Sequence, residues 1–190
     1  YHKINDNETV AMDLRYFTLG DITFTDVTGN TIGQYKPSEF AISTAYSRKL
    51  SDFFSLAIAG RYIYSNLTGG QSAGGINTNA GQSVAADVAG FYKKDVRIGK
   101  QDMNLAFGGN ISNIGNKISY TETSNRDFIP INLRLGTSVF MDLDEYNNIS
   151  FAIDVNKLLV PTPPIYNDSV QGQIDFGKDP NVSVVSGIFQ

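Results

Sequence analysis

The stretch EFAISTAYSRKLSDFFSLAIAGRYIYSNL, residues 39–67, alternates large and small side chains on both sides of a short break. One alternate set, Phe54, Leu56, Ile58, Tyr62 and Tyr64, carries the apolar bulk, while the other carries Ser55, Ala57, Ala59 and Arg61. Period-two alternation places these sets on opposite faces of a strand. A soluble sheet buries its bulky face in a core, whereas a membrane barrel turns that face outward to lipid. The make-up of the second face and the order of the loops separate the two cases.

The same alternation recurs at about 9–18, 39–48, 53–65, 83–94, 103–112, 128–141 and 148–157, and an eighth candidate begins near Val182. Bounded by Gly, Asn, Asp or Pro, these segments read as antiparallel strands. The bulky face continues through Phe40, Ile42 and Tyr46, Val84, Val88 and Tyr92, Leu105 and Phe107, Leu133 and Leu135, and Phe151 and Ile153. The opposite face is small and polar: Ala41, Ser43, Ala45, Ser47, then Ser83, Ala85, Asp87, Asn104, Ala106, Gly108, Arg134, Gly136, Ala152 and Asp154. Solubility would require Lys, Glu and Thr there. Ala, Gly and Ser instead suit the water-filled interior of a barrel whose bulky face meets lipid. A one-residue slip would turn Arg61, Asp87, Arg134 and Asp154 to lipid together, at about 2–4 kcal/mol for each arginine near the midplane.

Connections are sorted by length. KLSD (49–52), VRIGKQD (96–102) and LDEYN (143–147) are short, while 19–38, 66–82, 113–127 and 158–181 are long, the first with a small hairpin expected around Gly29-Asn30. Short turns at one end and extended loops at the other are the habit of outer-membrane barrels. Counting from the turns sharpens the picture. If Ser65 and Ser83 face each other, Arg61 lies opposite Asp87; if Met141 and Asn147 are partners, Arg134 lies opposite Asp154. Both are expected as structural ion pairs in the lumen, worth roughly 0.2–1 kcal/mol each, rather than as substrate gates. Tyr46, Phe54 and Tyr92 fall near the short turns and Tyr62 and Tyr64 near the long loops, as two interfacial girdles would.

Composition agrees. Charged residues make up 18% of the 190, against about 25% in typical soluble domains, and hydrophobic ones 41%. No apolar run approaches the roughly 18 residues of a membrane-spanning helix, which leaves a closed barrel as the spanning structure. Net charge is −4, with a sequence pI near 4.9 and no Lys/Arg cluster, which argues against a nucleic-acid surface. The first residues read as the approach to a strand, so residues 1–190 are expected to be part of one barrel domain in a longer protein.

Chemistry is sparse. There is no cysteine and a single histidine, His2, which argues against Ser/His or Cys/His nucleophiles. Asp142, Asp144 and Glu145 sit in a turn, where solvated turn chemistry explains them. No calcium loop, P-loop or dinucleotide fingerprint is present, so no catalytic residue, metal site or cofactor is expected. LLVPTPPIYND (158–168) reads as a stiffened loop rather than a polyproline ligand. A soluble eight-stranded binding barrel of lipocalin type fits the length, but its interior is filled by larger side chains than these.

The phrases LGDITFTD (19–26), EFAISTAYSRKLSDFFSLA (39–57), RYIYSNL (61–67), LAFGGNISNIGNKISY (105–120), FIPINLRLGT (128–137) and DVNKLLVPTPP (154–164) resemble the PorV family. These are FadL-like outer-membrane barrels of the Bacteroidetes type IX secretion system. The resemblance implies an all-β antiparallel transmembrane β-barrel of about fourteen strands, of which this chain supplies seven or eight, in the bacterial outer membrane. It implies a non-enzymatic role: association with the giant SprA/Sov-type translocon barrel, binding of type IX cargo through its C-terminal signal domain, and delivery to the attachment complex. It carries over no catalytic motif. Candidate partner and cargo contacts are the long loops, marked by Asn66, Gln82, Asn113, Asp127, Leu158 and Pro164. The alternative is a FadL-like transporter of hydrophobic small molecules.

Overall fold

The computed structural model describes residues 1–70, 77–99, 101–121, 126–168, 170 and 172–190. One antiparallel sheet has the strand order β1 (His2–Asn5), β2 (Glu8–Thr18), β5 (Ser38–Lys49), β6 (Phe54–Asn66), β7 (Gly81–Ile98), β8 (Gln101–Gly115), β9 (Asn132–Asp142) and β10 (Asn148–Leu158). Between β2 and β5 lies a separate hairpin, β3 (Ile22–Thr25) with β4 (Thr31–Tyr35), and after β10 another, β11 (Ile165–Tyr166) with β12 (Ile174–Phe176). A short helix, α1 (Val184–Ile188), follows. Among the described residues the sheet is open, with β1 and β10 at its edges. From β2 to β10 each long strand has 11 residues or more, enough to cross a bilayer at a tilt.

Register shows how the faces divide. Val10, Tyr46, Ile58, Val88, Ile111 and Leu133 stand in one cross-strand row over six strands, and Ala11, Ala45, Ala59 and Asp87 form the adjacent row on the other face. Directly opposed residues share a face, so bulk and smallness segregate over most of the sheet, with Phe17, Phe91 and Phe140 as large exceptions on the small-residue face. The bulky face is uncovered: Leu56 is 40% exposed, Phe107 51% and Ile153 60%. Such a surface in water would cost roughly 25 cal/mol for each Å2 of apolar area left unburied.

The buried apolar residues lie elsewhere. Among the described residues they are Ala85, Ala106, Ile118, Ile129 and Ile131, the last fully inaccessible. Ile118 and Ile129 pack with Ala85, Ile63 and Tyr120. Ile63 and Ala85 belong to the small-residue face near the long loops, so the core is a cap laid over one end of that face. Along β7 this shows as alternation, with Gly81, Ser83 and Ala85 buried and Gln82, Val84 and Ala86 exposed. A Cβ on Gly81 would stand 2.8 Å from Ile118 and Tyr120, so only glycine admits the cap this close.

Turns are sorted by end. Thr18, Ser38 and Asn66 align at one end and lead into long connections, while the turn end carries 50–53, 143–147 and the tight turn between Ile98 and Gln101. Gly99 supplies the positive φ, +66°, that this last turn requires. Ser51 Oγ accepts from the Phe53 and Phe54 amides (3.3 and 3.1 Å), and Asp144 Oδ1 from those of Tyr146 and Asn147 (2.9 Å each). Each side chain thereby replaces a backbone acceptor in its turn.

Several boundaries differ from the sequence reading. The hairpin at Gly29-Asn30 is present, with Gly29 at φ +88°. Residues 182–190 hold no strand; Ser183 caps α1 by accepting from the Ser186 amide, at 3.2 Å. The eighth strand is β1, at the other end of the chain. Residues 128–131, expected as strand, are irregular: Pro130 has no amide hydrogen to give a ladder, and Asp127 bridges to Ile118 instead. The proline-rich stretch enters β11, so it is part of a hairpin.

Candidate functional site

The small-residue face holds one polar network that spans four strands. Arg61 on β6 donates from Nη2 to Asp87 Oδ2 on β7 at 2.8 Å, from Nε to Ser43 Oγ on β5 at 3.0 Å, and from Nη1 to Asn113 Oδ1 on β8. Asp87 Oδ1 accepts from the Asn113 amide at 2.7 Å. The Arg61 and Asp87 side chains are each 17% exposed, so the charges are paired and multiply hydrogen-bonded where water is scarce. Asn113 has φ +60° and sits at the register break of the β7–β8 ladder, a bulge that aims its side chain into the network. Its Nδ2 donates to the Pro130 carbonyl at 3.0 Å, tying the network to the cap.

Register accounts for the geometry. Ser65 pairs with Gly81 rather than Ser83, so Arg61 stands opposite Ala85 and reaches Asp87 diagonally. On the other side Asp142 pairs with Asn148, which puts Arg134 opposite Asn156 and Asp154 opposite Gly136. The Arg134–Asp154 pairing expected from the sequence is therefore replaced: Arg134 Nε donates to Asn156 Oδ1 at 2.8 Å, and the Asp154 carboxylate lies over Gly136.

The cap gathers pieces of three long connections. Tyr120 Oη donates to Ser65 Oγ at 3.0 Å, and Ser65 Oγ donates to Glu39. Tyr35 Oη donates to the Asn66 carbonyl at 2.7 Å, and the Leu159 amide to the Ile131 carbonyl at 2.8 Å. Lys117 Nζ donates to the Pro180 carbonyl at 2.6 Å and lies 4.2 Å from the Phe128 ring centroid. Gly187 of α1 packs on that ring so closely that a Cβ would stand 2.7 Å from it. Farther out, Asp26 accepts from the Thr28 hydroxyl (2.7 Å) and from the amides of Asn30 and Thr28 (2.8 and 2.9 Å). These bonds hold its carboxyl down at about 2. Asp144 is likewise held below the usual carboxylate range, first by the Asn147 side chain.

The residues singled out in the sequence fall in three groups. Tyr46, Phe54, Tyr62, Tyr64 and Tyr92 all stand on the bulky face. Tyr92 neighbours Phe53 and Phe107 at 6.4 and 6.3 Å between ring centroids, and Phe40 neighbours Tyr64 and Tyr62 at 5.1 and 6.1 Å. Of the loop markers, Asn66, Gln82, Asn113 and Leu158 lie on strands rather than in loops, because the strands run farther than the alternation does. Asp127 is in the bridge to Ile118, and Pro164 precedes β11. Parts of the expected loops, residues 71–76, 122–125, 169 and 171, lie outside the described residues, as does residue 100 of the β7–β8 turn. Asn113 and Ser43 were missed as network members; the only local hint is an asparagine at the end of a strand, where a left-handed bulge can form.

A family model described as type IX secretion system protein PorV matches residues 1–165. The chain belongs to the PorV family. No curated protein matches it. PorV is a β-barrel family with a role in type IX secretion, which agrees with the all-β antiparallel sheet, and it implies association with that machinery. It is a secretion-component family rather than a known enzyme family. Among the described residues of this PorV chain, no helix is long and apolar enough to cross a membrane, which says nothing of crossing by strands. No group of three or more His, Asp or Glu that could hold a metal is found among them either.

Proposed function

We propose that residues 1–190 form part of one outer-membrane β-barrel domain that binds type IX cargo by its C-terminal signal domain. The same barrel associates with an SprA/Sov-type translocon and passes cargo to the attachment complex at the cell surface. The carrying observation is the placement of burial: the bulky face is open along the sheet, while the core is a cap at the long-loop end. A face of this kind is stable against hydrocarbon, and a packed cap gives a binding surface a defined shape. The Arg61–Asp87 pair and the aromatic girdles serve structure in this reading, and the chemistry of the chain serves recognition rather than catalysis.

Co-purification after mild detergent extraction tests it. The expected result is recovery of a giant barrel together with cargo, both reduced when residues 70–77, between β6 and β7, are deleted. Unchanged cargo recovery would show that this loop is dispensable. Uptake of a hydrophobic small molecule into reconstituted vesicles, without cargo capture, would favour a FadL-like transporter instead.

A further inference from the structure

At the long-loop end the sheet is notched. β8 stops at Gly115, opposite Ala85, whereas β7 begins at Gly81; beyond the ladder the chain turns away at Asn116, whose amide donates to the Val84 carbonyl at 3.1 Å. The notch opens into a cavity of about 550 Å3. Tyr62, Val84, Val182 and Val184 give it apolar walls, and Lys117 and Arg126 line it as well. Tyr62 and Val84 belong to the exposed bulky face, so the cavity adjoins the surface that meets lipid in the function proposed above.

Among the described residues, Lys117 is held in place by neutral partners, the Pro180 carbonyl and the Phe128 ring. These fix the ammonium without cancelling its charge. Among the described residues, neither Lys117 nor Arg126 forms an ion pair with a carboxylate. In a chain of net charge −4, two uncompensated cations beside an apolar wall form an amphipathic site, suited to an anion that carries hydrocarbon. Lysine and arginine are the usual phosphate partners, the first as a point charge and the second as a planar fork.

We propose that this notch binds a phosphate group and that its source is the headgroup of a membrane lipid, whose acyl chain lies against Tyr62 and Val84. The proposal rests on the lipid-facing reading of the bulky face, and its test separates the two.

The chain is inserted into nanodiscs of equimolar phosphatidic acid and phosphatidylcholine, extracted in mild detergent, and the retained lipid is counted by native mass spectrometry. Phosphatidic acid is expected to be enriched, and Lys117→Gln and Arg126→Gln each to lower the enrichment about fivefold. Lys117→Arg should preserve it, as should Lys178→Gln, which removes an exposed lysine outside the cavity. In a parallel arm, inorganic phosphate is titrated against the detergent-solubilised chain and the unfolding midpoint is followed. A midpoint raised by phosphate and abolished by both glutamine variants, with no lipid enrichment, would keep the anion site but assign it to soluble phosphate. Equal retention of both lipids with no response to phosphate would overturn the proposal, as would enrichment that survives loss of both cations. Failure to enter nanodiscs would count against the membrane reading, while the phosphate arm would still decide the site.

Discussion

Arg61 and Arg134 stand on the same small-residue face, yet their surroundings differ. Arg61 is largely shielded in a network of four strands, paired with Asp87 and linked through Asn113 to the cap. Arg134 is exposed, faces the edge strand β10 and, among the described residues, hydrogen-bonds to Asn156 without pairing with a carboxylate. The difference is made by two features outside the arginines themselves. A bulge in β8 brings the Asn113 amide to Asp87, and the cap closes over that part of the face. An inward charge in this sheet is therefore a structural element where a bulge and a loop converge on it, and a solvated side chain where they do not.

The largest effect should come from breaking the buried side of this comparison. Asp87→Ala leaves Arg61 largely desolvated without its carboxylate and should cost about 3 kcal/mol. Asp154→Ala, beside the exposed arginine, should stay within about 0.5 kcal/mol. Urea unfolding in lipid vesicles measures both, and equal costs would abolish the distinction. Placing an arginine on the other face comes next. Ile58→Arg should cost about 2–4 kcal/mol if that position is near the bilayer midplane, and a negligible cost in the same assay would show the face to be wet. Asn113→Ala sharpens the role of the bulge: it removes the acceptor for Arg61 and the donor to Pro130, for about 1–2 kcal/mol. Protease cleavage between 116 and 131 should rise with it, since the cap loses a tether, whereas Asn156→Ala should leave cleavage unchanged.

The smallest effect lies outside both regions, in the β3–β4 hairpin. Asp26 has its carboxyl lowered from 3.8 to about 2. Its ionised form therefore supports the loop fully above pH 3.8, and that support is lost as pH falls through about 2. The carboxyl carbon resonance of Asp26 should titrate with a midpoint near 2, and Asn30→Ala should move it back toward 3.8. A wild-type midpoint near 3.8 would mean that the Thr28 and Asn30 bonds are absent in solution.

The division of faces was legible in the sequence because it rests on parity: the Leu56/Ala57 alternation survives any even shift of register. Partners are not protected in this way. Counting from the LDEYN turn pairs Arg134 with Asp154, but the turn sits one residue farther along the chain than the count assumes, closed by Asp142 and Asn148, which slides the register by two. The Val182 segment, VSVV, carries the branched side chains of a strand, but Ser183 offers a local cap and α1 packs on Phe128, so tertiary contact overrides propensity. β1 is too short for alternation to show. The cap had one legible sign: Ile63 is an aliphatic residue among the small residues at the long-loop end of that face, placed where the loops return.

The claim beneath all of this is that the bulky face of the strands touches hydrocarbon and the small face touches water. The chain has no cysteine, so a nitroxide can be attached at one introduced cysteine at a time along β6. In lipid vesicles, labels at Leu56, Ile58 and Tyr62 should collide with apolar oxygen, and labels at Ala57 and Ala59 with a water-soluble nickel chelate, in strict alternation. The reverse phase, or chelate access at Leu56, Ile58 and Tyr62, would contradict it.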